Sequence, residues 1–144
     1  RVLRLFFLLL LMLVFLFLFH ISVTFNIIKQ IWRVKDVNKN VISGLISGYI
    51  SLGLVGFFIC ISIEAVHPGS FSGIYTWDTD PSVLTDRLMY FSYITLLTIG
   101  FGDIVPATHL AQKATILIGL FGQFYMVIIT AVVLEKYIRQ NKKE

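Results

Sequence analysis

Three nearly uncharged runs limit this chain more than any other feature. They cover about Val2 to Ile28, Val41 to Val66 and Ala111 to Leu134. Each is long enough to cross a hydrocarbon core of roughly 30 Å as a helix of about 20 residues. With 57% apolar and 14% charged residues, the chain has too few charges to cover a soluble globule of its 144 residues. An all-α membrane protein is expected, with lipid as its surroundings and no nucleic-acid partner. The single cysteine, Cys60, falls inside the second run, where a disulfide framework cannot form, so a packing role is expected for it. No nucleophile constellation, metal cluster or phosphate loop is present, and an enzyme is not expected.

Between the second and third runs lies Thr98-Ile99-Gly100-Phe101-Gly102-Asp103, which sets two glycines one residue apart among apolar neighbours and closes them with an acid. Glycine reaches positive φ without steric cost. Gly100 and Gly102 therefore let alternate peptide units turn and aim several carbonyl oxygens to one side. A row of parallel carbonyls is a cation ligand, but a large hard cation needs roughly six to eight oxygens. Several copies around an axis would supply them.

This hexapeptide resembles the selectivity filter of potassium channels, usually T-V-G-Y-G, and the likeness runs from Val41 to Glu144 as helix, short pore helix, filter and helix. The resemblance implies a pore module at 41–134, with outer helix 41–66, turret 67–81, pore helix 82–97, filter 98–103 and inner helix 111–134. It implies potassium ions held by the carbonyls of Thr98, Ile99, Gly100 and Phe101 and the Thr98 hydroxyl, with Gly102 completing the filter. Ile99 and Phe101 replace the usual Val and Tyr without altering those ligands. One chain gives one filter strand, so a homotetramer is implied. Asp103 is expected to bond behind the filter, Glu64 to brace nearby backbone, and Tyr90, Phe91 and Tyr93 to pack around the filter. Leu97 stands where a second Thr is frequent, and Ile94 where some prokaryotic relatives carry a Glu, which removes one partner for Asp103.

The flanking segments fit a membrane topology. Lys29, Arg33, Lys35 and Lys39 in a loop at 29–40, and Lys136, Arg139, Lys142 and Lys143 in a tail at 135–144, are expected in the cytoplasm; Asp78, Asp80, Asp86 and Asp103 are expected outside. Tyr75 and Trp77 suit a turret at the membrane surface. Lone His67, followed by Pro68, reads as loop. Ser82 or Thr85 is expected to cap the pore helix, with Asp86 in its first turn. The C-terminal carbonyls of that helix are expected to face the ion path.

The first run, 1–28, reads as an additional transmembrane helix ahead of the module. At 1.5 Å per residue it would be roughly 40 Å long, so it should tilt. It is too long for a secretory leader and lacks a small-x-small cleavage site. Arg1 and Arg4 stand three apart, as charges do in a voltage-sensing helix, but Phe7, Leu10 and Leu13 hold the next positions, so voltage sensing is not expected. His20 is expected as a neutral imidazole bonded to the backbone of a neighbouring helix. The opening Arg and the external placement of Arg1 suggest a piece of a longer protein, with upstream helices or a regulatory domain outside it.

In the second run, Ser43, Ser47 and Ser51 beside Gly44 and Gly48 form a small-residue surface for close helix approach. His109 and Lys113 mark the outer end of the last run. In that run Gly122, twenty positions beyond Gly102, matches the family's hinge, while Gly119 and Gly122 also suit close packing. Gln123, Met126, Thr130 and Leu134 are implied to face the cavity and gate. The expected function is passive potassium conduction across a membrane, expected to be the prokaryotic plasma membrane. A nonselective cation channel, half of a two-pore-repeat channel and a potassium transporter subunit stay open as alternatives.

Overall fold

The computed structural model describes residues 11, 14, 15, 18–23, 25, 26, 29, 39–74 and 81–141. Among the described residues, the helices α1 (Lys39–Val66), α2 (Pro81–Leu96) and α3 (His109–Asn141) carry the fold. Two short strands, β1 (Phe71–Ser72) and β2 (Val105–Pro106), pair antiparallel with Phe71 opposite Pro106 and Ser72 opposite Val105. This small sheet is an addition to the expected all-α architecture. Most of the expected first span, the basic loop, the turret residues Tyr75, Trp77, Asp78 and Asp80, and the last three residues lie outside the described residues; those described between 11 and 29 are helical.

Among the described residues, two helices are long and apolar enough to cross a membrane, Asn40–Val66 and His109–Arg139. At 1.5 Å per residue, α2 with its 16 residues reaches only roughly 24 Å and cannot cross. Pro81 opens α2 because a first-turn residue has no helical partner for its N–H, and its fixed φ suits a helix start. Asp86 therefore falls in the second turn rather than the first. Thr108 caps α3: its Oγ1 accepts the Ala111 N–H at 3.3 Å, which starts the helix two residues before the apolar run. At its other end α3 continues through Glu135 to Asn141, where a polar tail was expected. An Arg139–Glu135 pair at 2.7 Å, one helical turn apart, spans that extension.

The main core lies in the outer half, where Phe57, Cys60, Ile63, Phe71, Leu88, Phe91, Ile104 and Ala114 pack together with Leu96 and Ile118. A smaller cluster, Val41, Tyr125 and Ile129, joins α1 to α3 in the inner half. The close approach of α1 to α2 occurs at Gly53, where a β-carbon would overlap the Tyr93 ring, and at Gly56, against Ser92. It lies further along α1 than the expected Ser43-to-Ser51 surface. Gly44 has open space around it, and the Ser47 hydroxyl bonds back to the Ser43 carbonyl in its own helix. Ser51 instead meets His20: Nδ1 and the hydroxyl oxygen lie 3.2 Å apart, with the imidazole stacked on Phe58. His20 thus docks on a side chain of α1, not on the backbone.

Candidate functional site: the 98–103 loop and its supports

The loop is folded back onto the helix that precedes it. The Leu97 N–H donates to the Tyr93 carbonyl at 2.9 Å and Thr98 to Thr95 at 3.0 Å; Ile99 and Gly100 both donate to Ile94, at 2.9 and 3.3 Å. The Leu96 carbonyl accepts from the Tyr49 hydroxyl of α1 at 3.0 Å. All four terminal carbonyls of α2, which a helix end normally leaves orphaned, are therefore engaged within the chain. What the helix still offers there is the negative end of its dipole.

With its amides turned inward, the loop leaves its oxygens free. Thr98 (φ 58°), Gly100 (56°) and Gly102 (81°) have positive φ, whereas Ile99 and Phe101 between them do not. Alternating the sign of φ brings successive carbonyls to one side, where a strand would alternate them. Nothing lies within 4 Å of a β-carbon built on Gly100 or Gly102, so these glycines serve conformation rather than space. Among the described residues, the carbonyls of Thr98, Ile99, Gly100 and Phe101 accept no hydrogen bond. Their side chains do not cover them: Ile99 and Phe101 are 49% and 71% exposed. Four bare acceptors in series are costly in an apolar setting unless a cation or water occupies them.

The outer end of the loop is tied down by side chains. Tyr90 interacts with the Asp103 carboxylate, and loss of solvation, followed by that carboxylate's acceptor oxygens and negative charge, holds the phenol above its ordinary value. Gly73 (φ 89°) presses on the backbone of Asp103, where a β-carbon would overlap the carbonyl oxygen, and its own carbonyl accepts from Arg87 at 2.8 Å. Beyond the loop, Ala107 donates to the Ser70 carbonyl at 2.7 Å.

Glu64 holds that turn from below. At 2% exposure its carboxylate accepts the N–H of Gly69 at 2.6 Å and of Phe71 at 3.2 Å. Through these bonds it braces the turret and, by the β1–β2 pairing, the segment following the loop. Phe91 also faces the turret, edge-on to Phe71 with ring centres 5.2 Å apart. Tyr93 turns toward α1 and donates to the Ile50 carbonyl at 2.8 Å. Of the three aromatics expected around the loop, Tyr90 is the one with a recorded interaction with a loop side chain, that of Asp103.

A family model described as an ion channel matches residues 45–139. The chain belongs to this ion-channel family. That span takes in nearly all of α1, the whole of α2 and the loop, and most of α3, so the family is the potassium-channel pore module and the chain a membrane transport protein rather than an enzyme. No curated protein and no solved structure matches the chain.

In this channel, α3 packs inward through Ala111, Ala114, Ile118, Gly122, Tyr125 and Ile129, a helical period that leaves the other faces open. Gly122 is a close-approach residue: a β-carbon there would overlap the Leu96 carbonyl oxygen. Gln123, Met126, Thr130 and Leu134 are all exposed, and the Thr130 hydroxyl bonds back to the Met126 carbonyl at 2.6 Å. Sequence reasoning passed over Tyr49, Gly73, Arg87 and Tyr125. A tyrosine inside an apolar span is itself a signal, because its hydroxyl must find a partner there. Gly73 and Arg87 carry no comparable signal, since their roles come from segments brought together by the fold.

Proposed function

We propose that this channel conducts potassium ions passively through a filter built from four copies of Thr98-Ile99-Gly100-Phe101-Gly102, set in the prokaryotic plasma membrane. The observation that carries the reading is the run of carbonyls at 98–101 that accept no hydrogen bond among the described residues, produced by alternating φ and by amides turned back onto α2. One run supplies too few oxygens to replace the hydration of a potassium ion. A fourfold ring supplies rings of four, so that an ion between two rings meets roughly eight. Potassium ions are the cargo, and repulsion between neighbouring ions keeps each bound weakly enough to leave. The exposed flanks of the loop and the exposed apolar faces of α3 offer surface for the other three copies.

In this reading Gly122 lets α3 close against α2. Gln123, Met126, Thr130 and Leu134 border the inner cavity, where an apolar constriction at Met126 and Leu134 gates by dewetting. The test is flux from liposomes loaded with potassium, compared with sodium, with and without barium. Potassium flux that barium stops and sodium does not replace is expected. Equal sodium flux would assign the chain to nonselective cation channels.

A further inference from the structure

One carbonyl in the last turn of α2 is left untouched by the loop, and both spanning helices converge on it. Leu96 is 1% exposed. Its oxygen takes the Tyr49 hydroxyl from α1 at 3.0 Å, and Gly122 of α3 lies against it without room for a methyl group. The Tyr49 ring is flanked by Tyr125 of α3, with ring centres 5.5 Å apart, and the Tyr125 hydroxyl returns to the Leu45 carbonyl of α1 at 2.7 Å. A single backbone atom is therefore held from both sides, by one donor and by one steric wall.

Resting on the potassium-channel reading, we propose that Tyr49 is a positioning residue for the ion path, acting through the Leu96 carbonyl. Leu96 stands two residues before Thr98, and the amides of Thr98, Ile99 and Gly100 bond to the same turn of α2. Rotation of that turn moves the start of the carbonyl row as a unit. The Tyr49 hydroxyl is the donor recorded for the Leu96 oxygen. Without it, a buried carbonyl gains free energy by turning toward water, and the water lies along the ion path. Discrimination between cations differing by a few tenths of an ångström in radius depends on that placement. Tyr49 is remote from the ions, and its effect passes through backbone alone.

The experiment measures the potassium-to-sodium permeability ratio of the full chain in planar bilayers, together with barium affinity and tetramer yield. The set is wild type, Tyr49→Phe, Gly122→Ala and the double variant, with Ser62→Ala as the control that removes a hydroxyl of α1 bonded only to Phe58 of its own helix. Tyr49→Phe keeps the ring and is expected to lower the ratio by about fivefold, the factor one ordinary hydrogen bond is worth. Tetramer yield and the Ser62→Ala ratio stay at the wild-type value. Gly122→Ala pushes on the same oxygen and lowers the ratio by itself. The double variant departs from the product of the single effects, because both changes act on one atom. A ratio within about twofold of wild type in Tyr49→Phe overturns the proposal. Should that variant not assemble, an unchanged ratio in Gly122→Ala overturns it equally. A wild type that does not separate potassium from sodium ends the potassium-channel reading itself, and the inference with it.

Discussion

The outer and inner halves of this channel are held together by different physics. Around the turret and the 98–103 loop, contacts are directional: Glu64 to Gly69 and Phe71, Arg87 to Gly73, Ser70 to Ala107. Around the lower part of α3 they are mostly apolar, with Tyr125 to Leu45 the polar bond recorded between α1 and α3, and beyond Ile129 no described residue of α3 is buried. Hydrogen bonds fix angles as well as distances, whereas apolar contact tolerates sliding. On the proposed reading, the half that places the carbonyl oxygens is bonded, and the half proposed to gate is mostly packed.

The sharpest way to break this contrast is at Glu64. Replacing it with alanine strands two backbone donors, one of them buried, at about 1–3 kcal/mol for each unsatisfied group. Glu64→Ala is expected to lower the thermal stability of the assembled channel by the largest margin of any single change named here, and to abolish barium-sensitive flux. A stable, selective Glu64→Ala channel would show that the turret does not support the loop.

Gly73→Ala comes next. The substitution places a side chain at φ 89° and against the Asp103 carbonyl oxygen. The left-handed backbone alone costs about 1–2 kcal/mol, and the overlap can be relieved only by moving backbone. Expected is a channel that assembles but loses affinity for externally applied barium, measured by block at the outer mouth. Retained block would mean that the turret, not the loop, gives way.

A smaller effect is expected at Tyr90, which holds Asp103 from outside. Its raised phenol pKa means that the folded channel keeps this proton more tightly than the unfolded chain does. The contact's contribution is therefore complete below about pH 10, the ordinary tyrosine value, and is lost as pH rises through the higher folded value. Currents should be insensitive to external pH between neutrality and mild alkali through this contact, then decay faster in strong alkali. Tyr90→Phe should show the faster decay at neutral pH and no further alkaline change. An alkaline response surviving in Tyr90→Phe would place the titrating group elsewhere.

How much of this the sequence revealed follows the same division. The second and third spans and the loop were legible because uncharged length and paired glycines are local signals. Gly122 was legible as a special position, although its contact with the Leu96 oxygen fits tight packing. The supports were harder to read. Phe91 and Tyr93 sit beside Tyr90 in sequence, yet a helix sends neighbours in different directions, so one meets Phe71 and another Ile50. Small residues at Ser43 and Ser47 carry the pattern of a close contact, but Gly53 and Gly56 make it, because α2 crosses α1 at that level. The continuation of α3 to Asn141 was hidden by polar composition, which marks exposure rather than the end of a helix.

The inner half supplies the last and smallest prediction. The Tyr125 hydroxyl donates to the Leu45 carbonyl, which already lies inside α1 and has a helical partner four residues on, so Tyr125→Phe leaves no acceptor orphaned. Its stability cost is expected at about 0.5–1.5 kcal/mol, that of one ordinary hydrogen bond. Because the bond joins α1 to α3 below the loop, its loss should alter how often the channel opens, seen as a change in single-channel open probability, while the potassium-to-sodium ratio changes less than in Tyr49→Phe. The ring remains to support Tyr49 by contact, which is why selectivity is largely spared. If Tyr125→Phe instead lowered selectivity as far as Tyr49→Phe does, the inner helices would be positioning the carbonyl row as directly as the turret, and the separation between a bonded half and a packed half would not hold.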